Sequence, residues 1–391
     1  MWPSAMLDMC SKGKKVKILF VLENYHPHLG GVEILFKHLT EGLAKKGHKV
    51  TIVTHRLPGT AAYQFFNGVR IHRVDVPSFA SRYFFTFLCF QKLLKVVKDV
   101  DVIHTTTYNA AVPAWIIAKL YKKPVMITVH EVIGDRWGKT GIGVISGKIH
   151  QILEWIIVHL PFDKYICDSN ATESDLVTSN FNADSTRIYP GIDYKFWDPK
   201  KYDGKKIRKE LGLQNKFVYL YYGRPGPSKG FNDLLHAVKQ ISYEVKDSHL
   251  VAILSNDSQY REALNDVYQH LFEWDLESEV TILKPVPRKE LPEVIKMADV
   301  IVVPSMTEGF GFCVAEACAM RKAVVASNTG SIPEVISGRY VLVKPGNPVS
   351  IAKGVISISN RKFTKTKLKK FSWTKFIDNH RNLYKELKFR K

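Results

Sequence analysis

Two glutamates eight positions apart bracket the stretch Glu308-Gly-Phe-Gly-Phe-Cys-Val-Ala-Glu316, which follows the run Asp299-Val-Ile-Val-Val-Pro304-Ser305. A β-branched strand that runs into a glycine-bearing loop and then a helix presents backbone N–H groups and a helix N-terminus to an anion. The carboxylates flank that loop, one placed to accept hydrogen bonds from sugar hydroxyls and the other from ribose hydroxyls. Together they suit a sugar nucleotide. Two other readings share the same residues. The pair could be the acid and nucleophile of a glycosidase, whose carboxylates stand about 5 to 10 Å apart. Alternatively, the segment could be an ordinary helix with Glu308 near its N-terminal dipole and Glu316 in solvent.

A second group, Gly223-Arg224 with Lys229-Gly230, lies directly after a strand and before a helix. A nucleoside diphosphate carries concentrated negative charge, and more develops on the β-phosphate as it departs. An Arg fork and a Lys point charge stabilise that charge without a metal; a basic surface turn is the alternative. In a third group, Gly30-Gly31-Val32-Glu33, absent side chains let backbone N–H groups approach a phosphate, although loops also use Gly-Gly freely. His130 ends the strand Val125-Met-Ile-Thr-Val129 and precedes Glu131. From a strand's carboxyl end it can bond a sugar hydroxyl or the reacting oxygens. His104 holds a similar strand end, where structural support is the expectation. Asp99-Val-Asp101 has the spacing of a metal-binding acidic pair but leads into a strand, so no metal site is expected there.

The elements that must position these residues read as alternating strands and helices. Lys17 to Leu22 predicts a strand, Val32 to Lys46 a helix with Ile34, Leu35, Leu39 and Leu43 on its apolar face, and Val50 to Thr54 a second strand. Gly47 suits the helix C-terminus. This βαβ unit opens a doubly wound domain. Further strands are predicted at Val69 to Val74, Asp101 to His104, Val125 to Val129 and Tyr165 to Cys167. Periodicity lapses through Tyr189-Pro190-Gly191-Ile192-Asp193 and resumes with a strand at Phe217 to Tyr222 and a helix from Phe231 to about Val245. Later strands are Leu250 to Leu254, Val280 to Leu283, Val300 to Val303, Ala323 to Ala326 and Tyr340 to Val343. The last segment, Phe371 to Tyr384, reads as an amphipathic helix with Ser372 as N-cap. The expected division is a basic extension 1–16, a first domain 17–195, a second 196–370, and a C-terminal helix 371–391. Two such domains imply a cleft, with ligands at the carboxyl ends of the strands.

At 391 residues the chain suits two domains. Its 45% hydrophobic and 24% charged content is that of a soluble globular protein. A net charge of +20 favours acidic partners: nucleotide phosphates, anionic lipid headgroups or nucleic acid. The apolar run after Lys12 to Lys17 ends at Glu23, too short for a signal peptide, and no run approaches the ~18 residues that span a bilayer. Five scattered cysteines fit neither a disulfide framework nor a zinc site, so reduced thiols in a cytoplasmic protein are expected.

Taken in order, these motifs resemble those of retaining GT-B glycosyltransferases of glycosyltransferase family 4, over about residues 17 to 385. The E-x7-E of Glu308 and Glu316, the GR…KG of Gly223-Arg224 and Lys229-Gly230, the GGVE at Gly30 and the His130-Glu131 pair carry the resemblance. It implies an α/β fold with two doubly wound Rossmann-like domains facing a cleft, and a hexosyltransferase that needs neither metal nor cofactor beyond a UDP- or GDP-linked sugar. By the same resemblance, Arg224, Lys229 and the Gly30-Gly31 backbone hold the diphosphate. Glu316 holds the ribose, Glu308 with the Gly309, Phe310 and Gly311 backbone holds the donor sugar, and His130 joins Glu308, Arg224 and Lys229 as catalytic. The C-terminal helix is expected to cross back onto the first domain. The chain departs from its relatives at Ser255-Asn-Asp257-Ser258 and Lys284-Pro285-Val286-Pro287, which leaves the nucleobase open. The extension has no counterpart and is expected to be disordered.

On the acceptor side, Ser78 to Lys95 interleaves aromatics with Arg82, Lys92 and Lys95. Such a pattern suits the headgroup boundary of an anionic membrane, and with it a lipid-linked acceptor and a peripheral location; otherwise Phe84, Leu88 and their neighbours pack into the core. The rival from another class is a non-catalytic basic protein that binds nucleic acid or membrane. Without a nucleic-acid motif, nucleic acid is not expected.

Overall fold

The structure, a computed structural model, describes residues 15–28, 30–77, 79, 81–139, 143–257 and 260–389. Most of the N-terminal extension, together with Ser78, Ala80 and Ser258, lies outside them. The chain divides into two compact units. The first takes the residues up to Gly134, His150–Gly191 and Phe371 onward; the second takes Asp135–Ile149 and Ile192–Lys370.

In chain order the first unit contains β1 (Lys17–Val21), α1 (Gly31–Lys45), β2 (Lys49–His55), β3 (Tyr63–Phe66), β4 (Val69–Val74), α2 (Ser81–Leu88) and α3 (Phe90–Val96). It continues through β5 (Val102–Thr106), α4 (Ala111–Leu120), β6 (Val125–Val129), α5 (Val144–His159), β7 (Lys164–Cys167), α6 (Asn170–Ser179) and β8 (Ser185–Arg187). The division between the units falls inside α5. The sheet order is β3-β4-β2-β1-β5-β6-β7-β8, parallel throughout except for the antiparallel pair β3 and β4. All five residues of β5 and of β6 are buried, as expected of parallel strands covered on both faces. Connections from β4 to β5, β5 to β6 and β6 to β7 advance in one direction across the sheet. Right-handed crossovers therefore place α2 to α5 on one face. Phe85, Leu93, Ile117 and Ile157 from these helices share a core with Leu19, Ile103 and Ile127 of the strands.

On α1 the buried stripe is Leu35, Phe36, Leu39, Thr40 and Leu43. Ile34, expected on that face, is only half-buried, because the stripe is turned by one position toward Phe36, which packs on Phe20. Gly47 follows the helix with φ +85 and its N–H reaches Ala44 O at 2.9 Å.

The second unit contains α7 (Lys205–Glu210), β9 (Phe217–Gly223), α8 (Phe231–Glu244), β10 (Ser248–Leu254), α9 (Arg261–Glu273), β11 (Val280–Leu283) and α10 (Leu291–Met297). It closes with β12 (Val300–Val303), α11 (Phe312–Ala319), β13 (Ala323–Ser327), α12 (Ile332–Val335), β14 (Arg339–Val343), α13 (Pro348–Ser359) and β15 (Thr364–Lys365). Its order, β11-β10-β9-β12-β13-β14-β15, is parallel but for the edge pair β14 and β15. The chain moves outward one way from β9 and the other way from β12, so these neighbours mark the topological switch point.

The final helix, α14 (Trp373–Phe389), belongs to the first unit. The N–H of Lys375 reaches Ser372 Oγ at 3.3 Å. Phe376, His380, Tyr384 and Leu387 are buried at helical spacing, and Tyr384 Oη meets His104 Nδ1 at 2.5 Å. His104 Nε2 is 2.8 Å from Thr128 Oγ1. The imidazole is thus bonded on both sides and is structural, with burial holding its pKa well below the usual range.

Candidate functional site

Two loops leave the switch point of the second unit, 223–230 after β9 and 304–311 after β12, and they are fastened to each other. Met306 N donates to Ser228 O at 2.9 Å. A Cβ at Gly230, which has φ +66, would stand 2.0 Å from Pro304 O, so the approach of the two backbones requires glycine. Across this seam Lys229 Nζ bonds Glu308 Oε1 at 2.6 Å, and Ser305 Oγ donates to the same oxygen at 2.9 Å. The peptide of Glu308 is held from a third loop: its carbonyl accepts from both N and Oγ of Ser331 at 3.1 Å. A Cβ on the adjacent Gly330, φ +49, would lie 2.4 Å from that carbonyl. Arg224 is exposed. Tyr221 Oη donates to its carbonyl at 2.6 Å, and its guanidinium reaches Tyr260 Oη at 3.3 Å.

Gly311 caps α11 in the left-handed region at φ +79, with no side chain on the cap. Phe310 turns its ring into the core, 4% exposed, and stacks edge-on to Phe312. Only its backbone is thus available to a ligand. Inside the helix, Glu316 is 4% exposed and accepts from Arg288 Nη2 at 3.2 Å. Burial pushes its carboxyl up to about 7, with Arg288 pulling the other way. A solvated Glu316 on an ordinary helix, one of the alternatives read from the sequence, does not match this placement. Arg288 itself lies over Trp197 and Phe196, 5.4 and 5.6 Å from their ring centres. Cys313, one turn before Glu316, is also pushed up by burial. Both carboxylates raise it further while Lys229 and Arg288 lower it, so all four charges act within one neighbourhood.

In the first unit, α1 begins directly after Gly30, whose φ of −161 is extended. The Glu33 side chain folds back over that turn: a Cβ on Gly30 would come within 2.3 Å of Glu33 Oε2, and Glu33 Oε1 is 3.1 Å from His28 Nδ1. His130, at the carboxyl end of β6, has Nδ1 2.5 Å from Asp168 Oδ2, while Nε2 is buried without a hydrogen-bond partner. A carboxylate on Nδ1 fixes the proton there and leaves Nε2 as the acceptor. Asp99 pairs with Lys17, and Asp101 accepts from Lys17 N at 2.8 Å and Lys388 Nζ at 2.7 Å. Both are occupied in holding the ends of β1 and α14. Among the described residues no three His, Cys, Asp or Glu side chains gather as metal ligands.

Of the residues singled out in the sequence, the structure brings Lys229 and Glu308 into direct contact, with Arg224, Gly309, Phe310, Gly311 and Glu316 on the same two loops and helix. Gly30, Gly31 and His130 are held in the first unit. Sequence reasoning missed Arg288, Ser305, Tyr221 and Asp168. Asp168 alone had a local signal, its place at the end of β7 beside the strand of His130. Along the stretch Ser78 to Lys95, Phe85, Cys89 and Leu93 are buried, whereas Phe79, Tyr83, Phe87 and Leu88 are exposed. Leu88 therefore does not pack in the core. Arg82 pairs with Glu23 at 2.9 Å.

Residues 203–372 match the family described as glycosyl transferases group 1, and residues 29–196 match glycosyltransferase family 4. The chain is 29% identical to an uncharacterized glycosyltransferase of Methanocaldococcus jannaschii over 95% of its own length and 98% of that protein's. It is 23% identical to the phosphatidylinositol N-acetylglucosaminyltransferase GPI3 subunit of Saccharomyces cerevisiae, over 94% of this chain and 79% of that one. Its fold is similar to that of Anabaena HepE, solved in complex with UDP and glucose, at a TM-score of 0.71 and 18% identity, covering 94% and 99% of the two chains.

Proposed function

The chain belongs to the group 1 and family 4 glycosyltransferases, with the GT-B fold, and on that premise we propose that it moves a hexose from a UDP- or GDP-linked donor to a lipid-linked or glycan acceptor, with retention and without a metal ion. The observation that carries this reading is the contact of Lys229 with Glu308 beside Arg224. It sets a phosphate-binding cation against a sugar-binding carboxylate at the switch point. On donor binding the diphosphate takes the ammonium of Lys229, and Glu308 turns its freed oxygen to the sugar hydroxyls. Glu316 accepts from the ribose, and the Gly30-Gly31 backbone meets phosphate. The acceptor oxygen bonds to the anomeric carbon on the face from which the phosphate leaves, and its proton passes to that departing phosphate. No enzymic nucleophile is required. His130, its Nδ1 proton held by Asp168, offers Nε2 to a hydroxyl of the reacting sugars. Relatives that are named for transfer to phosphatidylinositol, and a neighbour of similar fold that holds UDP and glucose, support donor and acceptor classes alike.

Screening nucleotide sugars for protection against thermal unfolding tests the donor. A ligand at 100 times its dissociation constant adds about 2.7 kcal/mol of stability. The anomeric configuration of the isolated product tests retention, and an inverted linkage would sink that part of the reading. Release of UDP or GDP that depends on both substrates separates the enzyme from a basic binding protein.

Glu316 makes donor affinity depend on pH. Its folded pKa of about 7 stands above the ordinary 4.5, so its contribution to stability is complete below pH 4.5 and is lost as pH rises through about 7. Ribose hydroxyls donate to the ionised form. Nucleotide affinity should accordingly fall as pH drops below about 7, approaching tenfold per unit. Titration calorimetry from pH 5 to 8 should show this slope for the native chain and none for Glu316→Gln; equal slopes would remove Glu316 from the ribose.

Because Arg224 and Lys229 provide the positive charge, transfer should persist in excess EDTA, and Asp99→Ala should change it by less than about twofold. Activity abolished by EDTA and restored by magnesium or manganese would overturn the metal-free account.

A further inference from the structure

Where β13 and β14 begin, the second unit carries a cleft of about 290 Å³ with five cationic side chains on its wall, Lys200, Lys296, Arg321, Lys322 and Arg339. Lys200 stands on the single turn Pro199–Lys201, Lys296 near the end of α10, Arg321 and Lys322 between α11 and β13, and Arg339 at the first position of β14. The loops with Lys229 and Glu308 leave the opposite, carboxyl ends of the sheet, roughly 16 Å away across a five-residue strand. The Lys322 ammonium donates to the carbonyls of Lys296 and Ala298 at 2.7 and 2.6 Å, Lys296 Nζ to Pro199 O at 3.0 Å, and Arg339 Nη2 to Arg321 O at 3.2 Å. Carbonyls at helix ends favour cations, which accounts for Lys322 and Arg339. It does not account for the side chains of Lys200 and Arg321, both exposed and without a hydrogen bond or ion pair among the described residues. No carboxylate among the described residues lines the cleft. Those on the supporting elements are engaged: Asp299 accepts from Arg208 Nη2 at 2.6 Å and Val218 N at 2.7 Å, Asp198 from Lys200 N at 3.0 Å, and Glu293 from Gly204 N at 2.8 Å. With Arg208 included, six cations stand against these three carboxylates. Burial, followed by Lys296, Arg208 and Arg339, holds the Lys322 ammonium down to about 8, and Asp299 alone opposes them.

We propose that this cleft binds a small soluble anion bearing one or more phosphate groups, at a site separate from the donor loops. Clustered like charges repel one another, and a bound polyanion replaces that repulsion with attraction. Guanidinium forks and ammonium point charges both suit phosphoryl oxygens. The volume lies close to the lower bound of small-molecule sites, which run from about 300 to 1,000 Å³, and no lining residue is aromatic. A nucleic-acid strand would need a longer track and rings on which its bases stack.

Lysine acylation of the full chain at pH 8, read peptide by peptide by mass spectrometry, tests this with inorganic pyrophosphate as the probe. A bound anion covers Lys296 and restores the proton of Lys322, so both should acylate about tenfold more slowly at about ten times the dissociation constant. Lys119 and Lys122, exposed in the first unit, should be unchanged. Arg321→Glu with Lys200→Glu removes no hydrogen bond of the fold and should raise the pyrophosphate concentration needed by about a hundredfold; Arg339→Glu alone should raise it about tenfold. Protection that survives the double variant, or equal slowing of Lys119 and Lys122, would overturn the proposal. So would protection by phosphatidic acid vesicles where soluble pyrophosphate gives none, or no protection by either. Lys229 in the same digests reports binding of the donor nucleotide, so this site can fail while the transferase reading stands, and the reverse.

Discussion

Arg224→Ala should lower turnover by about 10²- to 10³-fold while leaving the chain folded. The guanidinium is exposed and contributes one hydrogen bond, to Tyr260, so its removal opens no cavity. Its loop is held independently through Tyr221 Oη and the Arg224 carbonyl, and alanine keeps that carbonyl. On the proposed function, what is lost is charge-assisted bonding to a phosphate whose negative charge grows in the transition state. The effect should therefore fall mainly on kcat, with donor KM changed less. Arg224→Lys should recover only part of the rate, because an ammonium cannot make the two parallel bonds of a guanidinium. A folded Arg224→Ala enzyme with near-native kcat would exclude the phosphate role.

Glu316→Ala should act on the other half of the donor, raising its KM by roughly a hundredfold through two lost hydrogen bonds to a carboxylate. The wild-type carboxyl is 4% exposed in the free chain, so its removal relieves a desolvation penalty as well as leaving a small space. Cooperative unfolding should persist. Arg288 remains partly open to solvent and against Trp197, so it is not stranded by the change. Calorimetry with UDP and GDP would compare the variant with the native chain; unchanged nucleotide affinity would refute contact with the ribose.

Much of the site was legible because its pieces are local in sequence. A strand of β-branched residues, a glycine loop and a helix are short-range patterns, and they placed Glu308, Arg224, Lys229 and His130 at strand ends or in the loops that follow them, and Glu316 in the helix after its loop. Three strands escaped that reading for a common reason. Tyr63–Phe66 is largely exposed, Ser185–Arg187 has three residues and Thr364–Lys365 has two. Edge strands this short or this exposed owe their existence to a partner strand rather than to a hydrophobic pattern of their own.

The sequence by itself determined the alternation of strands and helices, the glycines that let loops approach one another, and the types of charged group available to a sugar nucleotide, because dihedral preference and hydrophobic period act over a few residues. Only tertiary structure decided which of those groups touch. Lys229 and Glu308 are 79 positions apart, Arg288 and Glu316 are 28, and His104 and Tyr384 are 280. Each pairing depends on the order in which strands are wound into a sheet. Burial was decided in the same way. Glu316 is enclosed because α11 packs against its own sheet, and on α5 Ile157 is buried in the core of the first unit while Ile152 and Ile156 stay exposed.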